Sequence, residues 1–82
     1  MKSNLQEYNE RLRRIEEQKS AGKIKLWHLM NHEERISVMR LLYIKENLLE
    51  EDIAHLLETE PTELQKFRRR QGTLFFQKPH PE

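Results

Sequence analysis

Three features of the sequence predict an all-α fold. Apolar residues recur at three- and four-residue spacing through most of the chain, capping residues stand where those runs begin, and Gly22, Pro61 and Gly72 fall at their edges. The expected architecture is a small helical domain. An N-terminal amphipathic helix occupies residues 1–22, a trihelical core with a short C-terminal extended arm occupies 23–78, and residues 79–82 form a disordered tail.

The first helix is read over residues 3–20. Leu5, Tyr8, Leu12 and Ile15 are spaced three, four and three apart, which places all four on one face. Two heptads are too few to define a coiled coil, so this stripe is expected to pack on its own domain or on a second copy, with a membrane-surface helix as the other reading. Ser20-Ala21-Gly22 ends the helix, and Gly22 suits the left-handed position that follows a helix terminus.

Residues 23–30 (KIKLWHLM) are short and apolar, and are read as helical in preference to extended. Asn31 with Glu34 three residues later has the layout of a capping box, so a helix should begin at His32. Ile36, Met39, Leu42 and Tyr43 mark one face of it, and Val38, Leu41 and Ile44 widen that face, as in a central helix packed on two sides. Asn47 is the expected stop. The next helix should start near Glu50, where Glu50, Glu51 and Asp52 suit the positive end of the helix dipole.

Residues 53–70 read as helix, tight turn, helix. Ile53, Leu56 and Leu57 form the inner face of the first helix, and Leu64 and Phe67 that of the second. Ala54 supplies a small side chain where two short, steeply crossing helices come closest. Pro61 fits the first turn of a helix, where a missing N–H leaves no bond unmade.

The stretch Ile53-Ala54, two residues, Leu57-Glu58-Thr59-Glu60-Pro61-Thr62 resembles the helix-turn-helix of bacterial repressors, including winged-helix types. With Arg35-Ile36-Ser37-Val38-Met39-Arg40-Leu41-Leu42 as the preceding helix, the resemblance covers about residues 32–70. It implies a DNA-binding regulator whose last helix enters the major groove. Three departures from the pattern involve four residues. Glu58 stands where glycine is usual, at a cost on the order of 1 kcal/mol if the turn is left-handed, so a reshaped turn is one expectation. Thr59 replaces an apolar plug, and Glu60 and Glu63 place negative charge near phosphate.

If the last helix enters the groove, spacing opposite Leu64 and Phe67 selects Thr62, Gln65, Lys66 and Arg69 as outward, base-reading residues. Glutamine pairs with adenine and lysine or arginine with guanine, while Arg68 and Arg70 are assigned to phosphates at the rim. The competing reading of this face is a solvated charged surface at a helix C-terminus. Beyond Gly72, residues 73–77 read as one strand or an extended arm, too little for a two-stranded wing, and expected to pack over Trp27 and the helices in preference to pairing with its counterpart in a dimer.

Composition narrows the function classes. The 82 residues suffice for one domain with a modest core, 21 of them being Leu, Ile, Val or Phe. With no cysteine there is neither a disulfide framework nor a thiolate metal site, and His28 and His32 are separated by the Asn31 cap, so no metal or other cofactor is expected. No phosphate-binding glycine loop or nucleophile–base set is present, and catalysis is not expected. No apolar run reaches the roughly 20 residues of a membrane span and the first ten residues lack a signal-peptide core, which points to the cytoplasm and to no membrane partner.

The net charge of +1 conceals segregation: residues 50–60 carry −5 and residues 61–70 carry +3. The leading expectation is a sequence-specific regulator of phage or mobile-element type that binds double-stranded DNA as a homodimer, two copies addressing adjacent half-sites. The alternative is a protein-binding adaptor or inhibitor that uses acidic residues 50–60 on the same scaffold.

Overall fold

The computed structural model describes residues 3–72. It is helical throughout, with no strand among the described residues. Helix α1 spans Asn4–Ser20, a single 3₁₀ turn spans Trp27–Leu29, α2 spans His32–Met39 and runs on as a π-helical segment Arg40–Lys45, α3 spans Glu50–Leu57 and α4 spans Pro61–Gln71. The extended arm at 73–77 and the tail at 79–82 lie outside the described residues.

Local signals set most of these boundaries. Ser3 accepts from the Gln6 N–H at 3.1 Å and the Gln6 side chain accepts from the Ser3 N–H at 2.9 Å, a reciprocal cap that opens α1. Gly22, at φ +78°, closes α1: its N–H reaches the Lys19 carbonyl and the Lys23 N–H reaches Gln18, both at 3.0 Å. The capping box expected at Asn31 is present, with Glu34 N–H to Asn31 Oδ1 at 2.8 Å and Asn31 N–H to Glu34 Oε1 at 3.1 Å.

Residues 23–30 correct the helical reading. Only Trp27–Leu29 turns, and Leu26 and Met30 on either side are extended, with ψ of 152° and 143°. Two constraints account for this. Asn31 must itself be extended to cap α2, and the open chain buries Trp27 and Met30 while leaving Leu29 in solvent. The end of the central helix also differs from a regular α-helix. The Glu46 N–H bonds the Leu41 carbonyl at 2.8 Å and the Leu48 N–H bonds Leu42 at 2.9 Å, spans of five and six residues that widen the turn before Asn47 at φ +53°.

The core gathers Ile15 from α1, Met39 and Leu42 from the central helix, Leu48 from the loop after it, Ile53 and Leu57 from α3 and Leu64 from α4, each below 2% exposed. Fully burying an aliphatic side chain contributes roughly 1.5–3 kcal/mol, so this cluster is the main source of stability. Trp27 meets Phe67 edge-on with ring centroids 5.1 Å apart, and Arg35 covers the Trp27 ring at 4.8 Å.

The apolar stripe of α1 packs within the chain. Ile15 is buried, Tyr8 and Leu12 lie against the core, and only Leu5 stays in solvent, at 68%. Polar ties hold the helix along α3. The Tyr8 hydroxyl donates to Asp52 and accepts from the Leu49 N–H at 3.1 Å. Arg11 donates to the Glu46 carbonyl and Arg14 to the Glu46 carboxylate, both at 3.0 Å, and Lys19 pairs with Glu58 at 3.4 Å. These contacts tie α1 to both ends of α3 and to the end of the central helix.

Candidate nucleic-acid interface on the last helix

Helix α4 begins at Pro61, whose fixed φ and missing N–H suit the first helical position. The turn before it is not reshaped to avoid Glu58. That residue takes the left-handed conformation, φ 55° and ψ 49°, and the chain closes around it: the Thr59 N–H bonds the Ala54 carbonyl at 2.9 Å and the Glu58 N–H bonds His55 at 3.3 Å. Three residues, Glu58 to Glu60, thus separate α3 from α4. Ile53, Leu56 and Leu57 of α3 and Leu64 and Phe67 of α4 are buried as the spacing predicts, and Ala54 is 2% exposed.

Burying Leu64 and Phe67 fixes which side of α4 faces water. At about 100° per residue, positions 62, 66 and 69 lie on the far side of the helix. Thr62, Lys66 and Arg69 are exposed there, Gln65 is half-buried beside them, and Arg70 is exposed on the other flank. The Lys66 side chain is 63% exposed, and its ammonium lies 3.9 Å from Glu63 one turn back, a loose contact between two solvated groups.

Arg68 departs from its sequence assignment. Its guanidinium does not project to a rim. Nε donates to Glu50 Oε2 at 3.1 Å and Nη2 to Glu50 Oε1 at 2.5 Å, and the group lies 4.7 Å from the centre of the Tyr43 ring. A cation held by two bonds to one carboxylate is poorly available to a phosphate. The phosphate assignment for Arg68 is therefore withdrawn. Sequence spacing gave no sign of this pair, since its partners lie 18 residues apart on different helices.

The acidic block is also largely engaged inside the molecule. Of its five carboxylates, Glu50 pairs with Arg68, Asp52 accepts from Tyr8 and Glu58 pairs with Lys19, while Glu51 and Glu60 are exposed. Two titrations are displaced elsewhere. Burial and the hydrogen bond to Asp52 push the Tyr8 hydroxyl above its usual range, and the Lys25 side chain, then the Asn31 N–H, hold the Glu34 carboxyl below its own.

A groove of about 490 Å³ lies between residues 22–25 and α2; Ile24, Met30, Val38 and Leu41 line it, and Lys25 and Glu34 pair across its edge at 2.7 Å. Among the described residues no three His, Cys, Asp or Glu side chains gather as a metal site would require, and no helix is long and apolar enough to cross a membrane. No family model, curated protein or solved structure matches the chain.

Proposed function

We propose that this protein is a DNA-binding regulator that lays the outward face of α4 in the major groove. The observation that carries the reading is the division of that helix: Leu64 and Phe67 are buried, while Thr62, Lys66, Arg69 and Arg70 are exposed. An 11-residue helix is about 16 Å long and its width suits the roughly 12 Å major groove. Thr62, Gln65, Lys66 and Arg69 meet base edges, Arg70 meets phosphate, and Glu60 and Glu63 bias the helix against non-specific contact. Three exposed cations bind weakly in physiological salt, so two copies acting on adjacent half-sites complete the reading.

A mobility-shift titration over pooled duplexes at 50 and 200 mM salt tests it, with the wild type beside a Lys66→Ala, Arg69→Ala double variant. With about 0.9 ions released per phosphate, the phosphate contact at Arg70 weakens binding about threefold per copy between these salts in both proteins, and the double variant, lacking two base-edge contacts, binds more weakly than wild type at either salt. Binding that neither protein shows, or that ignores salt in both, rejects the DNA reading and favours the protein-binding adaptor. The engagement of Glu50, Asp52 and Glu58 within the chain leaves that adaptor less acidic surface than the sequence suggests.

A further inference from the structure

We propose that Arg68 is a positioning residue: with Glu50 and Tyr43 it sets the rotation of α4 about its axis and thereby aims Lys66 and Arg69. Leu64 and Phe67 hold α4 against the core by apolar contact, which favours burial but resists small rotations only weakly. The Arg68 fork adds direction. Two hydrogen bonds to one carboxylate, at 3.1 and 2.5 Å, fix the plane of the guanidinium, and the Tyr43 ring at 4.7 Å supports it.

The pair is also shielded in a way a loose surface contact is not. Arg68 and Glu50 side chains are 27% and 17% exposed, against 63% and 54% for Lys66 and Glu63. Glu50 opens α3 and Tyr43 belongs to the end of the central helix, so three elements meet at one cation. Arg68 follows Lys66 by two residues and precedes Arg69 by one. Any turn of α4 at Arg68 is therefore transmitted directly to both outward cations.

For the affinity arm the inference rests on the DNA-binding reading; a second arm does not. Duplex affinity is compared between Glu50→Gln, which frees Arg68, and Glu51→Gln, which removes the same charge one residue away and leaves the pair intact. Arg68→Lys keeps the cation and removes the fork. Circular dichroism first confirms that each variant is folded at the assay temperature. The expected result is that Glu50→Gln and Arg68→Lys bind about fivefold more weakly than Glu51→Gln, with an unchanged salt slope. Tighter binding by Glu50→Gln, or a steeper slope, makes Arg68 a phosphate contact and overturns the proposal; equal affinity of Glu50→Gln and Glu51→Gln overturns it as well. If the wild type binds no duplex, the DNA reading fails by itself and amide exchange decides the inference. Several-fold faster exchange across α4 in Glu50→Gln than in Glu51→Gln supports it, and equal exchange overturns it. Should Glu50→Gln not fold, Arg68→Lys against wild type gives the same comparison.

Discussion

Glu58 holds a left-handed backbone that costs a side-chain-bearing residue on the order of 1 kcal/mol relative to glycine. It keeps a pairing with Lys19 that glycine would lose. Comparing Glu58→Gly with Glu58→Ala removes that pairing from both and isolates the backbone: the Gly variant is expected to be more stable by about 1 kcal/mol, some 4–8 °C in thermal melting. Tyr8 supplies a second residue-scale test. Its hydroxyl satisfies Asp52 and the Leu49 N–H together, so Tyr8→Phe should lose about 1–2 kcal/mol in urea unfolding. The sign of the pH dependence follows from the raised pKa. The hydroxyl's contribution is fully present below the unfolded value near 10 and declines as pH rises through the higher folded value. Wild type should thus lose stability in alkali more steeply than Tyr8→Phe, as paired melts at pH 8 and pH 11 would record.

At the scale of elements, Asn31→Ala should cost about 1 kcal/mol, because its side chain satisfies the Glu34 N–H at the start of α2. Ile15→Ala should cost about 2–4 kcal/mol, since this is the one fully buried side chain of α1. Both are measured by denaturant melts. The starts of α2 and α4 were legible because Asn31, Glu34 and Pro61 act within four residues of themselves. The packed faces of α3 and α4 were legible for the same kind of reason: Ile53, Leu57, Leu64 and Phe67 keep the spacing of a helix with one side inward. Residues 23–30 were not. Their apolar run suits a turn or an open chain equally, and burial of Trp27 against Phe67, 40 residues away, decides between them. The wide turn at Arg40–Lys45 and the Arg68–Glu50 pair likewise depend on partners that folding brings together. The sequence did limit the candidate interface to α4, and it could not separate the engaged Arg68 from the exposed Arg69.

On the scale of the molecule, charge and exposure divide between two regions. At one end of α1, Leu5, exposed at 68%, and Leu49, at 58%, line one groove, whereas the cations of α4 stand on the surface that Leu64 and Phe67 turn away from the core. If two copies associate through the first region, Leu5→Asp should lower the mass seen by light scattering while leaving the melting free energy within about 0.5 kcal/mol of wild type. An unchanged mass in a protein that is dimeric would exclude that end of α1 from the contact. Leu12 is less suitable for this test, because it packs against the chain's own core.

The proposal that the outward face of α4 meets DNA is the central one. Titrating duplex into isotope-labelled protein and following each backbone amide by NMR tests it most directly. The predicted result is that shifts concentrate at Thr62, Gln65, Lys66, Arg69 and Arg70, with Leu12 and Ile15 unmoved. Shifts confined to α1 or to Glu51 and Glu60, or none at saturating duplex, would contradict it.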